Sequence, residues 1–326
     1  MSSTPTLVAE IGANHGGSLA RLLATVDAAK ASGADAIKLQ TWKSMCVSDY
    51  VIDGGPWAGR GLRDLYREAQ TPWEWHADVV RHCGQIGMAW WSTPFDAESV
   101  DFLETLGCSR YKIASFELID LDLIAAAART GKPLILSTGM ATWDELNEAV
   151  SAAWRNGCVD LTLLKCTSAY PAPAQHMNLR TLEHMRESFE CKVGVSDHTL
   201  GSAVAVAAVA LGADMVEKHF ALERSGPDAG FSMLPDEFGQ MANACRQAFA
   251  SLGRVSYRPS PSEAEQRKLR RSLYAGADLP AGHLLARGDW VSARPALGLA
   301  PSTPMLGRRL LRDVKAGEPM CEDMLE

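Results

Sequence analysis

The chain has 326 residues, 47% of them hydrophobic and 22% charged, enough for one large globular domain and a small one. A formal net charge of −7 argues against a general nucleic-acid binder, yet leaves room for a locally cationic site that takes an anion. No apolar run has membrane-spanning length, and Met1-Ser2-Ser3-Thr4-Pro5 leads into a strand-like segment without the cationic start and apolar core of a secretory signal. A cytoplasmic protein with no membrane partner is therefore expected, and the eight cysteines, which form no CxxC pair, read as reduced thiols.

From residue 6 to about 250 one rhythm repeats: a short apolar strand, a polar residue at its end, then an amphipathic helix. The predicted strands are Thr6–Ile11, Ala36–Gln40, Met88–Ser92, Tyr111–Ile113, Leu134–Ser137, Leu161–Lys165, Lys192–Ser196 and Met215–Phe220. Helical patterns fall between them, among them Leu19–Ala31, Trp73–Ile86, Ala97–Leu106, Leu121–Ala128, Trp143–Trp154, Leu179–Arg186 and Ala203–Gly212. Eight such units point to a (β/α)8 barrel of the α/β class. A doubly wound sheet fits less well, because the glycines of Gly12-Ala13-Asn14-His15-Gly16-Gly17 do not match a dinucleotide-binding turn.

The connection from Asp49 to Thr71 is long and contains Gly54-Gly55-Pro56-Trp57; a long loop on this face of a barrel is expected to cover a ligand. After residue 257 the rhythm breaks at Arg258-Pro259-Ser260-Pro261-Ser262. The chain is therefore divided into a barrel domain (1–257), a linker (258–268) and a small β domain (269–326) expected to hold little core of its own.

Polar residues at the carboxyl ends of barrel strands carry a functional expectation. Alternation turns Glu10, then Lys38 and Gln40, to the inner face, and on the last two strands pairs Ser196 with His198 and Glu217 with His219. The fourth unit adds Lys112, Ser115 and Glu117; other units add Thr93, Ser137, Thr167, Ser168 and Tyr170. Lysines and hydroxyls suit a phosphate and a carboxylate, and carboxylates suit sugar hydroxyls or a water. Two imidazoles at consecutive strand ends, His198 and His219, suit one divalent metal ion. Together they describe a phosphorylated, carboxylated small molecule meeting a carbonyl compound.

Competing readings attach to several residues. Lys38 or Lys112 could serve only to neutralise a barrel glutamate. His76 and His82 read as surface or helix-packing residues, and His15 either orders its loop or binds metal. The Trp73, Trp75, Trp90 and Trp91 rings read as packing, leaving Phe116 as the aromatic most readily given to a substrate.

Glu10-Ile-Gly-Ala-Asn-His-Gly-Gly, Ile37-Lys-Leu-Gln-Thr, Ser92-Thr-Pro-Phe, Tyr111-Lys-Ile-Ala-Ser-Phe-Glu, Leu136-Ser-Thr-Gly-Met, Ser196-Asp-His-Thr-Leu-Gly and Glu217-Lys-His-Phe resemble, in order and spacing, the sialic acid synthase family. That resemblance implies a TIM barrel followed by a small antifreeze-protein-like (SAF, β-clip) domain, and a domain-swapped homodimer in which each small domain caps the partner's barrel. It implies phosphoenolpyruvate and an amino sugar as substrates. Lys38, Thr93, Lys112, Ser115, Ser137 and Ser196 would bind the phosphoenolpyruvate, and Glu10 would orient the attacking water. His198 and His219 would hold a divalent ion, Mn2+ first, with Mg2+ or Co2+ as alternatives. Gln40, Glu117, Tyr170, Asp228 and, from the small domain, Arg294 would meet the sugar. Phe116, where the neuraminate branch typically has glycine, resembles the branch that uses a 6-deoxy sugar, whose methyl gains about 1 kcal/mol on burial. Neuraminate or legionaminate synthesis is the alternative, and a non-catalytic sugar-binding barrel a further one.

Overall fold

A computed structural model describes residues 4–43 and 48–326. The chain divides into two compact units, one ending at Gly253 and one spanning Arg254–Glu326.

In the first unit eight parallel strands close into a barrel in sequence order. They are β1 (Thr6–Glu10), β2 (Ala36–Thr41), β3 (Ala89–Pro94), β4 (Tyr111–Ile113), β5 (Leu134–Ser137), β6 (Leu161–Cys166), β7 (Lys192–Asp197) and β8 (Met215–His219). Their outward residues, such as Leu7, Ile37, Leu39 and Val216, are buried under the helices, as parallel strands covered on both faces require. The register sets up the chemistry directly: Glu10 lies beside Lys38 on one side and His219 on the other, and Ser196 lies beside Glu217.

The helices are α1 (Leu19–Ala31), α2 (Leu62–Ala69), α3 (Trp73–Ile86), α4 (Ala97–Thr105), α5 (Leu121–Arg129), α6 (Trp143–Arg155), α7 (Thr181–Phe189), α8 (Ala203–Ala210) and α9 (Pro235–Leu252). Their starts are chemically marked. Ser18, Asp96 and Asp120 each accept a backbone N–H of the first turn, and Thr142 with Glu145 forms a reciprocal capping box. Helix α7 departs from its expected span of 179–186. Asn178 takes a left-handed φ of 47°, so Met177 and Leu179 pack outside the helix, which then runs on to Phe189. The long 49–71 connection is itself structured: Val51 bridges Gly61, and α2 follows. Among the described residues no helix is long and apolar enough to cross a membrane.

The second unit contains the antiparallel pair β9 (Ser272–Ala275) and β10 (Trp290–Ala293) and a series of single bridges. Here the expectation of little core is corrected: Leu273, Leu285, Met305, Leu310, Val314 and Met320 are among ten residues of a separate buried cluster. Tight backbone approach makes this possible. A Cβ on Gly298 would stand 2.6 Å from the Leu273 carbonyl oxygen.

Candidate active site

The polar strand ends of the first unit converge on a charged centre. Lys38 forms an ion pair with Glu10, donates to Thr93 Oγ1 at 3.0 Å and lies 3.9 Å from Glu217 Oε1. Lys112 approaches the same Glu217 oxygen at 3.2 Å, and Ser196 donates to it at 3.1 Å. The two lysines therefore do neutralise barrel glutamates, while both still line an open cavity. Burial alone would discharge Lys38, but Glu10 and Glu217 raise its pKa, so it stays a cation. Burial likewise opposes charge on Glu217, and Lys112 and Lys38 overcome it, holding this carboxyl well below the usual range.

Glu10 is anchored by chain geometry. Its Oε1 accepts the Gly12 N–H at 2.8 Å and Gln40 Nε2 at 3.0 Å. A Cβ at position 12 would stand 2.5 Å from that oxygen, so this strand exit requires glycine.

The cavity above this centre has a volume of about 650 Å³. Of the residues picked out by the sequence, it exposes Lys38, Gln40, Thr93, Lys112, Ser115 and Phe116, together with Ser168, Tyr170, Ser196, His198, His219 and Asp228. Glu10, Ser137 and Glu117 stand behind the wall. Ser137 is fully buried with an unpartnered hydroxyl, and burial pushes Glu117 up to about 7 against the pull of Lys112. Arg294 belongs to the second unit, directly after β10. Phe116 is 56% exposed, so its face gives a ligand only partial burial.

His198 and His219 face each other with ring centroids 5.3 Å apart. His198 Nδ1 is engaged by the Thr167 carbonyl at 3.1 Å, which leaves Nε2 for another partner. His219 Nδ1 is buried without a hydrogen bond, with Asp228 Oδ2 3.2 Å away. Two imidazoles at this separation are part of a donor set that suits a borderline divalent ion. No group of three or more His, Cys, Asp or Glu forms a ready cage among the described residues, so such an ion would keep open positions. Lys38 and Lys112 stand against Glu10 and Glu217 at this centre, and Asp228 stands against His219.

His15 resolves to loop ordering. Its Nε2 lies 3.2 Å from Ala69 O, and its Nδ1 accepts the Gly17 N–H. His76 is buried against Thr41 at the end of β2, and Trp73 stacks on Phe102, so these aromatic and imidazole groups are packing residues. Asn14 has a longer reach: its side chain bonds Phe220 O, Ser232 Oγ and the Asp228 N–H, stitching the first strand's loop to the last one's.

Four contributors escaped the sequence reading. Alternation turns Glu217 inward but assigns it no task, because its place between both lysines depends on closure of the barrel. Cys166 lies 3.7 Å from His198 Nδ1; burial pushes its thiol up, but His198 outweighs that and brings it to about 7. Trp57 and Phe231 form cavity wall from loops, where no periodicity reveals direction.

Comparison with known proteins agrees with this architecture. The NeuB family model matches residues 25–257 and the SAF domain model residues 270–326. The chain belongs to the NeuB family. It is 40% identical to the pseudaminic acid synthase of Helicobacter pylori, over 100% of this chain and 99% of that protein. It is 35% identical to the N,N'-diacetyllegionaminic acid synthase of Campylobacter jejuni, over 97% and 98% of the two chains. Among solved structures, the N-acetylneuraminic acid synthetase of Leptospira borgpetersenii superposes with a TM-score of 0.73 at 29% identity, covering 81% of this chain and 90% of that one.

Proposed function

We propose that the protein is a pseudaminic acid synthase, condensing phosphoenolpyruvate with 2,4-diacetamido-2,4,6-trideoxy-β-L-altropyranose. The observation that carries this reading is the pair of ion-paired lysines beneath two facing imidazoles, opening into a cavity whose far wall is aromatic. The similarity to pseudaminic acid synthases over the full chain selects the sugar.

In this reaction C3 of phosphoenolpyruvate forms a bond to the open-chain sugar's aldehyde carbon, and the aldehyde oxygen takes up a proton. Water adds to the cationic C2, and the tetrahedral intermediate expels phosphate with cleavage of its C2–O bond. Lys38 and Lys112, with the hydroxyls of Thr93, Ser115 and Ser196, hold the anionic groups of phosphoenolpyruvate. As cations fixed before substrate arrives, the lysines stabilise developing phosphate charge without reorganisation. Glu10, held by Gly12 and Gln40, orients the water. Gln40, Phe116, Tyr170 and Asp228 receive the sugar with Glu117 behind them, joined by Arg294 from the small unit of a second copy in a homodimer. A divalent ion, Mn2+ first, would be held by His198 and His219 and would polarise the aldehyde. The seven described cysteines are free, in keeping with a cytoplasmic enzyme.

Purified protein with Mn2+, phosphoenolpyruvate and each of three sugars in turn (the altropyranose, the legionaminate precursor and N-acetylmannosamine) tests the reading by phosphate release and product mass. Turnover is expected with the altropyranose at the highest kcat/KM. Preference for another sugar moves the protein to that branch, and no phosphate with any sugar overturns the synthase reading.

A further inference from the structure

Of the side chains that the 49–71 connection contributes to the cavity, Trp57 is the one that meets the aromatic residues at its sugar end. The Trp57 indole lies with its ring 5.1 Å from Tyr170 and 6.0 Å from Phe231, and all three rings line the cavity. Tyr170 in turn stands 4.4 Å from His198, and Phe231 stands 5.0 Å from His219. Trp57 therefore belongs to the aromatic layer that sits on the two imidazoles. Its one polar group is already engaged: Nε1 donates to Pro227 O at 2.8 Å, at the residue preceding Asp228.

That hydrogen bond has two effects. It fixes the ring, because an indole has only two side-chain torsions and a single donor to satisfy. It also leaves only carbon for a ligand to meet. A rigid wall with no spare donor or acceptor favours an apolar substituent and leaves a hydroxyl placed against it without a partner. Phe116, the aromatic singled out from the sequence, is largely in solvent and meets this requirement less well.

We infer that Trp57 is a specificity-determining residue, forming the wall against which the amino sugar's methyl-bearing substituents pack and holding the Pro227–Asp228 backbone beside it. The inference rests on the synthase reading for the identity of the sugar. It extends that reading by assigning discrimination to the β2–α2 connection rather than to the loop after β4.

The test is calorimetric titration of wild type, Trp57→Phe and Trp57→Ala with the 6-deoxy diacetamido sugar and with N-acetylmannosamine, followed by steady-state kinetics. Wild type is expected to prefer the 6-deoxy sugar. Trp57→Ala should lose about 10–100-fold in affinity and kcat/KM for it, while the KM for phosphoenolpyruvate moves less than about threefold, the scale of an apolar pocket contact. The preference between sugars should shrink in parallel. Trp57→Phe, which keeps an aromatic face but not the bond to Pro227, should fall between. Loss of the same size for both sugars, or unchanged sugar affinity in a folded Trp57→Ala, overturns the assignment while the synthase reading stands. Equal binding of both sugars by wild type also overturns it, and phosphate release from the same wild-type samples shows whether the synthase reading falls with it.

Discussion

The ends of β7 and β8 carry two lysine–carboxylate systems on opposite faces. On the inner face, Glu217 sits between Lys38 and Lys112, its second oxygen lacks a hydrogen-bond partner, and His219 Nδ1 lacks one too. On the outer face, Lys218 pairs with Asp197 at 2.8 Å and also donates to the Thr199 carbonyl, while Asp197 accepts the Thr199 N–H. Both Asp197 and Lys218 are about 1% exposed, sealed beneath the helical layer. One ion pair is closed off from solvent; the other opens on a cavity. Adjacent residues of one strand, Glu217 and Lys218, thus have different tasks, and the unpartnered Glu217 Oε2 and His219 Nδ1 belong to the face that opens on the cavity.

The contrast is most sharply tested by His198→Ala, on the inner face. Turnover should fall by at least about 10³-fold, the scale of losing a principal electrostatic contributor, with little change in melting temperature. Wild-type turnover that survives chelation would remove the metal from the mechanism. On the outer face the pattern should invert. Lys218→Met leaves Asp197 buried without its cation and is expected to cost about 3–5 kcal/mol in denaturant unfolding. Asp197→Asn combined with Lys218→Met should recover most of that loss, because both charges are then gone. A double variant as unstable as the single one would show that the pair is not coupled.

The smallest effect concerns Glu117, behind the cavity wall. Its carboxyl titrates near 7 in the folded protein because of burial, and near ~4.3 when unfolded. Between those values the folded state keeps a proton that the unfolded chain has released, so stability falls as pH rises across that window. Glu117→Gln removes the penalty. It should unfold at a higher temperature than wild type at pH 8 and show little gain at pH 4. The difference is on the order of 1 kcal/mol, since the side chain is partly in water. A gain of equal size at both pH values would assign the effect to packing instead.

Much of this was legible from residue pattern. Helices α1 and α3 begin and end as expected because Ser18 caps one and Gly87, in a left-handed conformation, stops the other. Period-two alternation turned Lys38, Glu217 and His219 inward. The outer pair was not legible, since alternation says only that Asp197 and Lys218 point away from the barrel axis. Whether that direction leads to water or to a helix is decided by α8 and α9. The aromatic layer was hidden for a related reason: Trp57 and Phe231 come from connections, where direction follows from tertiary contacts such as the bond to Pro227.

The seam between β1 and β8 has a consequence for how the protein is made. Strand β1 cannot find its second neighbour until residue 219 has been synthesised, and Asn14 cannot complete its bonds until Ser232 follows. A growing chain therefore carries Glu10 and Lys38 for most of its synthesis without the second imidazole or the loop that walls the cavity. Premature termination anywhere before that seam should yield a ribbon of βα units with an unpaired edge rather than a weakened enzyme, so binding competence arrives in a single late step of translation.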